Sequence, residues 1–126
     1  MEEDKISRRY SGHVLGKKGE EIAVNYLQKK GYRIVERGYR RFRGELDIIA
    51  LDRAILVFVE VKTRAGTEFG LPEEAVIPAK QNQIRRIAQG YIMERGLGDS
   101  NCRFDVLAIL FNDEGHPLIT HFEDAF

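Results

Sequence analysis

Only one cysteine, Cys102, occurs among the 126 residues. A single thiol cannot close an internal disulfide, so the fold must rest on its core, and a cytoplasmic location is expected. No apolar run approaches the roughly 18 residues of a membrane span, so no membrane partner is expected. The N-terminus, MEEDKISRRYSGHVLGKK, lacks an apolar core long enough for a signal peptide. Residues 1–12 are expected to form a polar, mobile tail. Repeats, low-complexity tracts and linker-like stretches are also missing, so residues 1–126 read as one domain, long enough to bury a core without staples. His13, His116 and His121 lie far apart and show no zinc-ligand spacing. Nothing resembles a nucleophile elbow or a P-loop. Cys102 sits just before an apolar run and reads as a small packed residue, not a nucleophile.

A net charge is missing as well, with 20 Lys and Arg against 20 Asp and Glu. Its distribution is uneven. Residues 1–43 hold 12 basic and 6 acidic side chains, whereas 44–126 hold 8 and 14. A basic half points towards a polyanionic partner; a balanced, solvated surface is the plainer alternative.

Apolar periodicity gives the element order. VLGKKGEEIAVNYLQKK (14–30) makes a helix whose apolar stripe holds Ile22, Ala23, Val24, Tyr26 and Leu27, with Gly31 as its stop. Glu20 falls inside that stripe and Glu21 outside it. YRIVERGYR (32–40) reads as a short edge strand. ELDIIAL (45–51) and ILVFVEVK (55–62) are stronger strands, joined by the short Asp52-Arg53-Ala54 connection of a hairpin. Residues 66–78, with two Gly and two Pro, read as a loop. Ile84, Ile87, Ala88, Tyr91 and Ile92 mark an amphipathic helix over 79–95. RFDVLAILF (103–111) and LITHF (118–122) are further strands about a turn at 112–117. The order αβββαββ predicts an α/β domain, a central sheet flanked by helices.

Within this pattern, Glu60 and Lys62 interrupt an apolar strand. An ion taken into an apolar interior costs several kcal/mol even after relaxation, so the pair needs a reason. Residues two apart share a face, which puts Glu60 and Lys62 beside Leu56 and Phe58, with Val57, Val59 and Val61 opposite. Both faces are apolar, as in a central strand covered on both sides. A two-residue turn at Arg53-Ala54 sets 52 opposite 55, and hence Asp47 opposite Glu60. A slip of one residue would break this, and the turn carries neither Gly nor Asn to fix it. Two carboxylates this close repel unless something neutralises them. A divalent cation such as Mg²⁺ or Mn²⁺ does so, and also activates water and steadies phosphate charge. Lys62 can orient that water, and the inward Glu20 can add a ligand. The alternative is a structural ion-pair network.

Arg37, Arg40, Arg41 and Arg43, with Tyr39 and Phe42 between them, suit phosphate contact and base stacking. The alternative is a solvated edge strand with two aromatics facing the core. Arg64 follows the site and can meet a phosphate. Lys80 and Gln83, on adjacent turns of the second helix, can face the site, though a solvated helix face is the simpler expectation. Arg103 and Asp105 read as a structural pair.

GELD (44–47), twelve residues, then EVK (60–62) resembles the PD-(D/E)xK nuclease superfamily. GKKGEEIAVNYLQKKGYRIVERGYR, GELDIIA, FVEVKTR, FGLPEEAV with Lys80 after it, and RFDVLAI are similar, in order, to the YraN family of small bacterial proteins. That family resembles archaeal Holliday junction resolvases, and the likeness spans roughly residues 12–110. It implies a restriction-endonuclease-like αβββαβ core with a mixed sheet, and a Mg²⁺-dependent nuclease acting on DNA, branched DNA among the candidates. Asp47 and Glu60 match the metal ligands, Val61 the position whose carbonyl faces the metal, Lys62 the residue assisting water, and Glu20 the helix acid. Arg40, Arg41, Arg43, Arg64 and Lys80 are the residues expected to meet nucleic acid, and the likeness implies a homodimer, because a four-way junction has two scissile strands. Gly38 departs from the pattern, which has Asn before the Tyr-Arg pair. Two other expectations stay open: a non-catalytic nucleic-acid-binding module, and a partner-binding protein in which Glu60 and Lys62 are a buried ion pair.

Overall fold

The computed structural model describes residues 12–65 and 76–126, with side chains from Leu15 onward. The expected tail at 1–12 and most of the expected loop at 66–78 lie outside the described residues. The elements are α1 (Gly12–Lys29), β1 (Arg33–Arg41), β2 (Gly44–Asp52), β3 (Ile55–Ala65), α2 (Pro78–Glu94), β4 (Cys102–Phe111) and β5 (Pro117–Phe122). The order is the one that periodicity predicts, with shifted ends. β3 gains the most, running three residues past Lys62 because β4 continues to pair with it.

The sheet has the order β1-β2-β3-β4-β5. All neighbours are antiparallel except β3 and β4, which are parallel, so the sheet is mixed. A parallel neighbour requires a crossover, and α2 supplies it. β3 is central and β1 is an edge, as expected. Helix α1 covers one face: Ala23, Val24 and Leu27 pack on Ile48, Ala50, Val57, Val59, Leu107 and Ile109. Helix α2 covers the other: Ile84, Ile87, Ala88 and Tyr91 pack on Leu46, Ile49, Leu56 and Phe58. The strict alternation of Leu56 and Phe58 against Val57 and Val59 is what lets one strand serve both layers.

The helix ends follow from local chemistry. Gly31, at φ 98°, ends α1, and the Tyr32 N–H turns back to the Leu27 carbonyl at 2.9 Å. Pro78 opens α2 at a position where its missing N–H has no intrahelical partner to lose. No described helix is long and apolar enough to cross a membrane.

Candidate active site

Strands β2 and β3 part company before their neighbours do. The β3–β4 ladder runs on to Ala65↔Phe111, and the β1–β2 ladder reaches Arg41↔Gly44. Between them, β2–β3 pairing stops at Ile48↔Val59. The register is the expected one, since Asp52 faces Ile55 and Arg53 accepts a φ of 58° without being Gly or Asn. A fork therefore opens one residue short of the predicted opposition of Asp47 and Glu60. In the fork the Val61 N–H, which would otherwise seek a ladder carbonyl, donates to Asp47 Oδ2 at 2.8 Å.

The side-chain alternation of β2 also slips here. Leu46 and Ile49, three residues apart, both pack against α2, while Ile48 packs against α1. Asp47 occupies the slip and lies between the two layers. On β1, Arg37 faces Ile48 and Tyr39 faces Leu46, so Gly38 stands across from Asp47. Gly38 has φ 62°, in the left-handed region that Gly adopts freely and Asn tolerates best among other residues. The departure from Asn at this position is thus conformationally conservative.

Three cationic and acidic groups meet beside Asp47. Glu60 is buried, at 5% exposure. Lys62 Nζ lies 3.4 Å from Glu60 Oε1, and Lys80 Nζ reaches the same oxygen at 3.9 Å from the first turn of α2. Lys80 is therefore turned into the site, contrary to the solvated helix face expected of it. Because β3 holds Glu60 on the α2 face, the start of that helix lies over the carboxylate. Burial first, and then the charge of Glu60, push the Asp47 carboxyl up to about 7; the Val61 N–H opposes this.

Glu20 approaches from the other layer. Burial and the charge of Asp47 raise its pKa, against the lowering effect of Arg37, whose Nε is 3.6 Å away. Its side chain is half-buried, whereas Glu21 is exposed and binds Arg37 at 2.7 Å. Gly19 sets this approach. A Cβ there would stand 2.1 Å from Thr63 Oγ1, so only a glycine lets α1 come this close to β3.

Two clefts flank the acids. One, of about 650 Å³, is lined by Glu20, Arg40, Glu45, Asp47, Val61, Lys62 and Arg64, with Lys17 at its edge. The second, of about 560 Å³, is lined by Arg40, Arg41, Arg43, Glu45, Lys80 and Gln83. They share Arg40 and Glu45 as lining residues, and Glu20 and Asp47 line the first. The arginines are not equivalent. Arg41 is tied to Glu94 at 2.7 Å, and Arg40 is only loosely held by Glu45 at 3.8 Å. Arg64 donates to the Thr63 carbonyl at 2.9 Å. Tyr39 is buried, as its alternative reading has it, but Phe42 is half exposed at the turn.

A second polar cluster was not legible in sequence. Asp105, wholly buried, accepts from Arg103 at 3.0 Å, from the Asp124 N–H at 3.0 Å, and pairs with His121 Nε2 at 2.8 Å. The Arg103–Asp105 pair is the one that the sequence predicts; His121, without zinc spacing, carries no such expectation. Across the antiparallel β4–β5 pair His121 faces Leu107, and Asp105, two residues from Leu107, shares that face. Cys102 is exposed as the first residue of β4, which corrects the packed position expected of it.

Among the described residues, no three acidic, His or Cys side chains gather closely enough to hold a metal by themselves. Asp47 and Glu60 remain as a pair with the Val61 backbone beside them. Two carboxylates with the rest of the shell left to water and phosphate is the usual donor set for Mg²⁺, so the residues fit such an ion. Glu20 stands outside that pair, engaged by Arg37.

The model of the Uncharacterised protein family UPF0102 matches residues 19–109. A UPF0102 protein of Pelotomaculum thermopropionicum is 46% identical over 114 residues, covering 90% of this chain and 95% of the relative. One of Chlorobium phaeobacteroides is 48% identical over 119 residues, covering 90% and 94%. Another, of Desulforamulus reducens, is 50% identical over 114 residues, covering 88% and 93%.

Proposed function

The chain belongs to the UPF0102 family, the family that its motifs resemble, and on that premise we propose that it is a metal-dependent endonuclease hydrolysing phosphodiester bonds of DNA. The observation that carries this reading is the pair of adjacent carboxylates, Asp47 and Glu60, set in a fork of the sheet where burial and the charge of Glu60 push the Asp47 carboxyl up. Such a pair attracts a hard divalent cation. The two clefts beside it are lined by Arg40, Arg41, Arg43, Arg64 and Lys80, which suit a phosphate backbone.

In this reading Asp47, Glu60 and the Val61 carbonyl hold Mg²⁺ or Mn²⁺. When bound, the ion supplies a lowered water pKa and a counter-charge for the phosphate. Lys62 orients the attacking water and neutralises charge gathering on the phosphate oxygens. Lys80, which reaches the same Glu60 oxygen from α2, holds that carboxylate in place and meets a neighbouring phosphate. The water oxygen bonds to phosphorus, one P–O ester bond breaks, and the leaving oxygen departs with its electron pair. The water gives a proton to solvent and the leaving oxygen takes one up, so no further co-reactant enters. Glu20 holds Arg37 and orders the cleft wall next to Asp47. A homodimer and a cytoplasmic location remain parts of the proposal that rest on resemblance and on the cysteine count.

One observation favours a second reading. Lys62 and Lys80 both lie within 4 Å of Glu60, so the acid already has cationic company. A nucleic-acid-binding module without chemistry would need no more. Cleavage of single-stranded, duplex and four-way DNA with Mg²⁺ or Mn²⁺ separates the two. The nuclease reading expects products from the wild type and none from Glu60→Gln. No cleavage of any shape, together with binding indifferent to Mg²⁺ and to Glu60→Gln, would overturn it in favour of the second.

A further inference from the structure

The turn from β1 to β2 is made by Phe42 and Arg43, with φ of 52° and 59°. Arg41 pairs with Gly44, so these two residues are the whole loop. Two-residue turns with φ positive at both positions are ordinarily Asn-Gly or Gly-Gly, because a side chain crowds the backbone there. A phenylalanine at such a place is strained. Burial does not compensate it, since Phe42 remains 48% exposed.

Its surroundings are cationic. The guanidinium carbons of Arg41 and Arg86 lie 5.0 and 4.7 Å from the ring centroid. Arg41 is anchored by Glu94 and Tyr39, whereas Arg43 and Arg86 form no ion pair among the described residues. Gly90 leaves α2 bare beneath the turn: a Cβ there would come within 3.1 Å of Phe42 Cε2. Phe42 thus stands over α2, between Arg41 and Arg43, which line the second cleft, and remains 48% exposed.

Its distance from the acids can be measured along α2. Lys80 touches Glu60, Arg86 flanks Phe42 and Gly90 underlies it. At about 1.5 Å per helical residue, Phe42 lies roughly 9–15 Å along the helix from the acids. At the duplex rise of about 3.4 Å per nucleotide a strand covers that in roughly three to four nucleotides, and an unstacked strand covers it in fewer. We infer that Phe42 is a stacking platform for an unpaired base within about four nucleotides of the scissile phosphate, with Arg43 and Arg86 meeting the phosphates around it. The inference rests on the nuclease reading for its direction. It also names the substrate class: nucleic acid with a single-stranded segment beside the cleft, in preference to continuous duplex, whose bases already stack on one another.

The test is binding by fluorescence anisotropy in EDTA, where nothing is cut, to a single strand, a forked duplex and a continuous duplex. Phe42→Ala should weaken the single strand and the fork about tenfold and the continuous duplex less than about twofold. Phe42→Trp should bind like the wild type. Phe42→Asn, which suits the backbone, should raise the melting temperature while weakening the fork as Phe42→Ala does. Equal loss on all three DNAs, no loss on any, or a melting temperature that falls with affinity in Phe42→Asn would overturn the inference. A wild type that binds and cuts DNA while Phe42→Ala changes nothing sinks this inference alone. A wild type that binds none of the three sinks it together with the nuclease reading.

Discussion

Two aspartates on the same sheet, Asp47 and Asp105, are driven in opposite directions by their surroundings. Asp105 has two donors from Arg103, one from the Asp124 backbone, and His121. Despite its burial, these partners hold its carboxyl below the usual range. Asp47 has one backbone N–H and another carboxylate for company, and its carboxyl is pushed up. A buried acid with a full set of donors is a finished piece of structure. A half-buried acid facing a buried second acid is stable only if a proton or a cation joins it. That contrast, more than charge count, separates a candidate site from an ion-pair network here.

The contrast can be broken most severely at Glu60. Glu60→Gln should lower Mg²⁺-dependent cleavage by about a thousandfold or more while the metal-free fold keeps its melting temperature, a split visible by pairing a cleavage assay with thermal unfolding. Asp105→Ala should do the reverse. Removing the carboxylate leaves the buried His121 without its partner and the half-buried Arg103 with Asp52 at 3.1 Å, and should cost about 1–3 kcal/mol in denaturant unfolding. Asp47→Asn sharpens the comparison, because the amide can accept from Val61 and donate to Glu60. It should stabilise the metal-free protein on the order of 1–2 kcal/mol at neutral pH.

The pH dependence carries the sign of this difference. The folded state holds a proton on Asp47 more tightly than the unfolded chain does. Its contribution is full below about pH 4 and is lost as pH rises towards about 7. Asp105, with its lowered pKa, contributes above about pH 4 and loses that contribution as pH falls. Unfolding measured across pH in EDTA should therefore lose opposite slopes in Asp47→Asn and Asp105→Asn, and a shared slope would show that the two acids are alike. The smallest effect is expected at the loosely held Arg40. Arg40→Ala should lower the salt dependence of DNA binding by about one unit of slope.

Much of this was legible in the sequence. The hairpin register followed from counting outward through Arg53-Ala54, and the two-faced burial of β3 from its unbroken apolar run. What escaped depends on contacts distant in sequence. Lys80 reads as a solvated helix residue until the crossover lays α2 over Glu60. His121 carries no signal, because its partner Asp105 meets it only through the β4–β5 pairing. The slip at Asp47 is invisible to period-two reasoning, which assumes that alternation never fails. Gly19 is a clue of its own kind, since a glycine inside a helix costs about 1 kcal/mol against alanine unless close packing requires it.

The strand order has a kinetic consequence. Asp47 and Val61, joined by their hydrogen bond, are 14 residues apart within one hairpin, so the acidic pair can assemble as soon as β2 and β3 meet. Lys30 and Glu123 are 93 residues apart, and their contact waits for the parallel β3–β4 ladder and for the last strand. Long loops close late and slowly. The short separation favours the Asp47–Val61 contact forming before the Lys30–Glu123 contact, so substitutions near Asp105 should mainly speed unfolding and those at Asp47 mainly slow folding, as measured by folding and unfolding rates.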